Sequence, residues 1–496
     1  MRLFSRLVVL YTSLQYYSVV ARDNRPNILI LLTDDQDVML GGFDHMPHLR
    51  ELVQEEGMTF ENAFVHTPIC CPSRSSILTG RFIHHGGAVN NSLNGNCYGE
   101  TWRKEIENEY TFAVHAKKAG YSTAYAGKYL NRYGEGKTKY IPNGWDQWLG
   151  LVGNSVYYNY DLVLKNKTVQ HHGKEYSKDY LPDVLINHTL SWMDHMPEPW
   201  LMVVAWPTPH GPFTPADWAK DTMNGTIAPV TENYNASDTF QQQKHWLIRQ
   251  LQPISNETAT EVNKYYQMRL EALQSVDLHV EKLITKLHNN NQLNDTVIMY
   301  TSDNGFQFGQ HRLAMDKRHL YENDIRVPFV IRGPNIPPNT TSTQLVANID
   351  IAPTILDIAQ QPIDPTIDGV SFWQYVQGLS DGGKPFDKRR DLLITYHGEG
   401  YAECGGFATC PPEFSGVWWE PDSSNNTYNC LRTVVEDDNS IYCRFDDDQN
   451  FVEFYDLIRN PQQLDNNYFD LEVWQRQRYE YRLQELLDCK GISCYH

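Results

Sequence analysis

Apart from its first 21 residues, the chain has no apolar run approaching the roughly 20 residues that a bilayer-spanning helix requires, and no membrane span is expected. A surplus of positive charge is also lacking. Lys and Arg number 42 against 61 Asp and Glu, a formal net charge of −19. That balance argues against a nucleic-acid partner, because phosphate backbones are gripped by clustered cations. No internal repeat and no low-complexity linker interrupts the 496 residues. Cysteine is scarce, nine in all, and six of these (Cys404, Cys410, Cys430, Cys443, Cys489 and Cys494) crowd toward the C-terminus. The clustering predicts disulfides in a terminal unit; the pairing is not legible, although Cys489 and Cys494 are close enough for a short loop.

What is present points to the secretory pathway. Residues 1–21 carry Arg2 and Arg6, an apolar stretch from Leu7 to Val20 broken by Thr12, Ser13 and Gln15, and small residues Val19 and Ala21 where a signal peptide is cut. Nine Asn-x-Ser/Thr sequons, at Asn90, Asn166, Asn187, Asn224, Asn235, Asn256, Asn294, Asn339 and Asn425, are expected to face solvent where glycosylated. The 18 histidines would gain charge near pH 5 and soften the repulsion of a polyanion by so acidic a surface.

Several apolar runs end in polar, chemistry-bearing residues, the pattern of buried parallel strands whose C-terminal ends carry a site. Asn27 to Thr33 leads into Asp34 and Asp35, Trp200 to Trp206 into His210, Thr296 to Thr301 into Asp303 and Asn304, and Tyr121 to Ala126 into Lys128. Val327 to Ile331 continues the sheet, and Tyr265 to Leu287 reads as a helix. Strands alternating with helices predict an α/β domain with a mostly parallel sheet. Glycine, proline and charge replace the periodic pattern from Gln377 to Arg390, which divides a catalytic unit, 22–385, from a smaller α+β subdomain, 386–496. Trp145, Trp148, Tyr157 and Tyr158 read as packing residues before cleft residues.

Residues Cys70 to Arg81 read CCPSRSSILTGR. As local structure this is a helix start: Pro72 suits the first turn, Ser73 offers a cap and Gly80 a stop. Such an N-terminus presents unpaired N–H groups to an anion. As chemistry, C-x-P-S-R is what a formylglycine-generating enzyme reads. It would oxidise the Cys70 thiol to an aldehyde, whose hydrate can attack a sulfate ester and later expel the sulfate. The odd cysteine total agrees with one thiol being consumed. Asp34, Asp35, Asp303 and Asn304 form a hard-oxygen set suited to Ca²⁺ or Mg²⁺ rather than zinc. Arg74 lies one helical turn after Cys70, on the same face.

The stretch Cys70, Cys71, Pro72, Ser73, Arg74, with Leu78, Thr79 and Gly80, resembles the sulfatase family and, within it, the lysosomal N-acetylglucosamine-6-sulfatases. The likeness runs from RPNILILLTDDQD at Arg25 through KHWLIRQ at Lys244 and VANIDIAPTILDIA at Val346 to the cysteine-bearing tail. It implies an alkaline-phosphatase-like α/β fold, a large, mostly parallel mixed sheet flanked by helices, with a smaller C-terminal subdomain. It also implies one Ca²⁺, with Mg²⁺ less favoured, held by Asp34, Asp35, Asp303, Asn304 and the formylglycine diol made from Cys70. Arg74, Lys128 in AGKYLN and Lys317 in MDKRHLYE correspond to cations that meet the sulfate, and His210 in TPHGP to a general acid at the leaving oxygen. Many sulfatases carry a histidine two positions after the first catalytic lysine, where this chain has Leu130. The diol's base is therefore open among His311, His84 and His85. Asn90 and Asn91 resemble a stretch that would contact a sugar hydroxyl or acetamido group.

The implied activity is removal of the 6-O-sulfate from N-acetylglucosamine at the nonreducing end of heparan or keratan sulfate fragments. The implied maturation partner is the formylglycine-generating enzyme, and the implied location the lysosome or, alternatively, the secreted fluid; a homodimer is left open. One rival is an extracellular heparan sulfate 6-O-endosulfatase, which shares CCPSR but carries a long basic insertion that this chain lacks. Another is a phosphatase on the same fold, against which Cys70 speaks. A third is a secreted, non-catalytic glycan-binding protein, which would be expected to lose some of these residues.

Overall fold

The computed structural model describes residues 24–136, 139–378, 390–399 and 422–495. The signal-peptide reading of residues 1–21, Cys404, Cys410 and the boundary at 385/386 lie outside them.

Ten strands form one sheet: β1 (Asn27–Thr33), β2 (Met58–Phe64), β3 (Ser122–Gly127), β4 (Gln147–Leu151), β5 (Tyr160–Leu164), β6 (Val169–His172), β7 (Trp200–Ala205), β8 (Thr296–Ser302), β9 (Phe329–Arg332) and β10 (Thr340–Ala347). Their order is β10-β2-β9-β8-β1-β7-β3-β4-β5-β6. The central run β8-β1-β7-β3-β4 is parallel throughout, whereas β9, β5 and β6 run against their neighbours. Side chains alternate along β1, so Ile28, Ile30 and Leu32 join the core on one face while Leu29 and Leu31 join that on the other. A strand buried on both faces must be apolar throughout, which is why these segments read as unbroken hydrophobic runs.

Helices cover both faces. The helix Asn256–Asn289 starts earlier than its apolar pattern, because Ser255 caps it by accepting from the Thr258 N–H. Leu270, Leu273, Val276, Val280 and Leu283 seat it on the sheet. Helices Cys70–Thr79, Phe112–Lys118 and Ile351–Ile358 pack on the other face. Among the described residues, no helix is long and apolar enough to cross a membrane.

The C-terminal subdomain is a separate antiparallel sheet of β11 (Asp391–Tyr396), β12 (Tyr428–Val435), β13 (Asp438–Phe445) and β14 (Val452–Asp456), with helix Val473–Asp488 against it. Its apolar face merges with Phe64, Ile69, Leu320, Tyr321 and Ile325 of the large unit, so the two share a core. Disulfides join Cys430 to Cys443 across β12 and β13 and Cys489 to Cys494 in the tail. A third, Cys71–Cys97, ties the first turn of helix Cys70–Thr79 to a loop 26 residues on and was not foreseen from the sequence.

Seven sequon asparagines, Asn166, Asn187, Asn224, Asn256, Asn294, Asn339 and Asn425, are exposed; Asn90 and Asn235 are half-buried and use their side-chain oxygens locally. Trp148 and Tyr157 are core residues, and Trp145 is buried against Trp148.

Candidate active site

Four adjacent parallel strands deliver the candidate residues to one edge of the sheet, the C-terminal edge where open α/β sheets carry their sites. Asp34 and Asp35 follow β1, Asp303 and Asn304 follow β8, Lys128 follows β3, and His210 lies five residues beyond β7. Backbone bonds knit these exits together: Asp34 N–H to Thr208 O, Lys128 N–H to Ala205 O and Asp303 N–H to Thr33 O. Asp35 has φ 68°, in the left-handed region that breaks the alternation of a strand, and this lets two consecutive carboxylates face one site.

Cys70 is the first residue of helix Cys70–Thr79, and Gly80 ends it at φ 68° with its N–H on Ser76 O. The expected cap at Ser73 does not form. Its hydroxyl instead accepts from Asn348 Nδ2, and the Cys71 N–H of the first turn is satisfied from outside the helix by Asn91 Oδ1 at 3.0 Å.

The site is a buried lattice of alternating charge. Lys128 Nζ donates to Asp34 Oδ2 at 2.6 Å, Lys317 Nζ to Asp35 Oδ2 at 2.7 Å and Arg74 Nε to Asp303 Oδ2 at 2.7 Å. Asn304 Nδ2 donates to Asp35 Oδ1 at 2.7 Å. Burial raises the Asp34 carboxyl, but Lys128, His210 and Arg74 outweigh it and hold the group well below the usual range. For Asp303 burial wins over Arg74 and pushes the carboxyl up to about 7. Burial pulls Lys317 down, yet Asp35 more than restores it and the ammonium stays charged. The Cys70 thiol is pushed up to about 12, chiefly by burial. Such a thiol is not a thiolate at any physiological pH and, unmodified, is a poor nucleophile.

The oxygen set fits a hard divalent cation. Asp34, Asp35 and Asp303 each offer an oxygen within 4.8 Å of the others, and Asp34, Cys70 and His210 form a second such group. Asp34 Oδ1 and Asn304 Oδ1 are buried without a hydrogen-bond partner. Two orphaned oxygens beside three carboxylates are costly unless a cation takes them up.

A cleft of about 250 Å³ opens onto Cys70, Asp35, His210 and Lys317, with Asn91, Asn131, Asn154 and Arg318 on its polar side and Phe213, Tyr265 and Phe306 on its apolar side. His210 Nδ1 is 2.7 Å from Gly211 O and so carries the hydrogen, leaving Nε2 toward Asp35 Oδ2 at 3.8 Å. Tyr157 OH fixes the histidine's carbonyl at 2.9 Å. The structure thus gathers Asp34, Asp35, Cys70, Arg74, Lys128, His210, Asp303, Asn304 and Lys317. It separates Asn90, whose Oδ1 accepts from Ser92, and the three histidines offered for position 130's missing base. His311 is fully buried against Tyr321 with Nε2 on Asn233, His85 pairs with Asp368, and His84 is exposed beside Phe82; none of them lines the cleft. Leu130 is a core residue.

The family described as Sulfatase matches residues 26–361. The chain belongs to the sulfatase family. As a sulfatase it is a sulfuric ester hydrolase. It is 43% identical over 502 residues to the N-acetylglucosamine-6-sulfatase of Homo sapiens, a match spanning 98% of this chain and 89% of that protein. The Extracellular sulfatase SULF-1 homolog of Drosophila melanogaster is 38% identical over 356 residues, 71% of this chain and 31% of its own. Among solved structures, that of a protein in complex with its substrate D-glucosamine-2-N,6-O-disulfate shares the fold at a TM-score of 0.72 and 22% identity, over 93% of this chain and 97% of that one.

Sequence reasoning missed two residues at this sulfatase's candidate site. Ser155 donates to Asp34 Oδ2 beside Lys128, and Asn131, 4% exposed, lines the cleft with Oδ1 unpartnered. Asn131 carried a signal, its place three residues after Lys128; Ser155, in an irregular loop, carried none.

Proposed function

We propose that this sulfatase removes the 6-O-sulfate of N-acetylglucosamine 6-sulfate at the nonreducing end of heparan or keratan sulfate fragments. It does so in the lysosome, using formylglycine made from Cys70 and one bound Ca²⁺. The observation that carries the substrate is the 43% identity maintained along 98% of the chain to the human enzyme of that name. The endosulfatase reading has less support, since that kind of relative aligns with 71% of the chain and no basic insertion is present.

Asp34, Asp35, Asp303 and Asn304 would hold the cation, which supplies Lewis acidity to the sulfate oxygens and offsets their charge. The hydrated aldehyde at position 70 would supply one hydroxyl, which gives up its proton as its oxygen bonds the sulfur and the sugar oxygen departs, and a second whose loss of a proton would re-form the aldehyde and free the sulfate. Lys128 and Lys317, already placed by Asp34 and Asp35, meet the nonbridging oxygens without having to reorganise. Arg74 has a spare donor, since its buried Nη2 has no hydrogen-bond partner. His210, whose Nδ1–H is held by Gly211 O, delivers a proton from Nε2 to the departing sugar oxygen once the ring is protonated there in acid; burial lowers its basicity and Asp35 partly restores it. Asn91, beside Cys70 and open to the cleft, is the sugar-facing amide.

The test is Cys70→Ser together with mass spectrometry of the peptide containing residue 70. The wild type should carry an aldehyde-level mass there and release sulfate from N-acetylglucosamine 6-sulfate, and the folded variant should not. An unmodified thiol in active protein, or full turnover by the variant, overturns the mechanism; recovery of the protein only from secretions overturns the location.

A further inference from the structure

Asn91 and Arg318 both border the cleft, yet they arrive from distant parts of the chain. Their common partner is Glu399, three residues beyond β11 in the C-terminal subdomain. Its Oε1 accepts the Asn91 N–H, and its Oε2 lies 3.9 Å from Arg318 Nε. The Asn91 side chain in turn accepts from the Cys71 N–H, next to Cys70. Glu399 is itself anchored, its N–H donating to Asp422 Oδ2 at 2.9 Å, an oxygen that also accepts from Tyr396 OH at 2.8 Å and lies 3.9 Å from Arg318 Nε.

The same subdomain grips the Arg318 backbone, whose carbonyl accepts from Tyr428 OH at 3.1 Å and Asn426 Nδ2 at 3.3 Å. That grip answers a strain. Asp316 and Arg318, the residues on either side of Lys317, have φ of 115° and 99°. Non-glycine residues hold such values only where their surroundings over-determine them. The turn that presents Lys317 is thus held from outside the large unit. The clasp is also unbalanced in charge: Asp316, Glu399 and Asp422 face the Arg318 guanidinium and the Lys317 ammonium, and Lys317 is shared with Asp35.

We propose that Glu399 is a positioning residue through which the C-terminal subdomain sets substrate affinity and selectivity. It ties the Asn91 segment and Arg318 into one wall of the cleft, and the surplus negative charge of that wall disfavours a second anionic group on the sugar. The inference rests on the substrate reading above and adds a discrimination between neutral and further-sulfated rings.

The test compares full-length wild type with Glu399→Gln on N-acetylglucosamine 6-sulfate and on glucosamine 2-N,6-O-disulfate. The variant should raise KM for the first about tenfold, the worth of one charge-assisted hydrogen bond, with kcat within about twofold. Its kcat/KM ratio for the disulfated over the monosulfated sugar should rise several-fold. Tyr428→Phe, which removes one bond to Arg318 and no charge, should raise KM about threefold and leave the ratio unchanged. An unchanged KM or an unchanged ratio in Glu399→Gln overturns the proposal. If Glu399→Gln does not fold, an unchanged KM in Tyr428→Phe overturns it. If the wild type cleaves neither sugar, the proposed function fails, and Glu399 is judged by the same KM criterion on whichever sulfate ester the wild type does cleave.

Discussion

Lys317 Nζ and Asp35 Oδ2 meet at 2.7 Å in a pair almost wholly withdrawn from water. Asp35 is also a member of the candidate cation set, so the ammonium proposed above to meet the sulfate also neutralises a carboxylate that must not stand alone. Lys317→Ala should therefore reduce turnover by at least about a hundredfold. In the presence of a chelator it should also destabilise the fold by about 3–5 kcal/mol, the cost of stranding one partner of a buried pair. Added Ca²⁺ should restore more stability to the variant than to the wild type. Equal thermal shifts in the two proteins would show that Asp35 does not face the ion.

Chelation should abolish sulfate release, and Ca²⁺ should restore it. A readout free of catalysis is melting: saturating Ca²⁺ at a hundredfold excess over its dissociation constant should add about 2.7 kcal/mol. Asp34→Asn should remove most of that gain, because it weakens a set in which Asp34 Oδ1 has no other partner. A full gain in the variant would place the ion elsewhere.

Cys71→Ser should leave the chemistry and lower the stability. The Cys71–Cys97 bond closes a loop of 26 residues, a constraint worth about 3 kcal/mol. Urea unfolding should show that loss while kcat stays within a few-fold. KM should rise, since Asn91 lies within the loosened loop. A variant as stable as the wild type would mean that the bond does not form.

Glu107 is fully buried, accepts from Trp102, Tyr129 and Tyr140, and is pushed up to about 7, chiefly by burial. Its folded-state value exceeds the ordinary 4.5, so between about 4.5 and 7 the folded protein holds the proton and the unfolded chain does not. Stability from this group is therefore greatest in acid and falls as pH rises through that window, by up to on the order of 3 kcal/mol. Glu107→Gln should flatten the pH dependence of the melting temperature between pH 5 and 7.5 by making the neutral end more stable. An unaltered slope would refute the assignment.

Read by itself, the chain determined its strands and the edge at which they end. Ile28 to Leu32 and Leu201 to Ala205 are apolar without interruption because both faces of the central sheet are covered, and the polar residues that follow must then lie at its rim. Motif spacing also marked Cys70, Arg74 and the four oxygen-bearing residues, since local chemistry is written in consecutive positions. Only the tertiary structure decided what depends on distant segments meeting. It joined Cys71 to Cys97, moved His311 away from the cleft into the core, set Ser155 beside Asp34 and brought Glu399 to Asn91 and Arg318. No periodicity encodes such contacts; they arise when a sheet and a subdomain bury their apolar faces together, and whichever polar groups lie at the seam must then find partners.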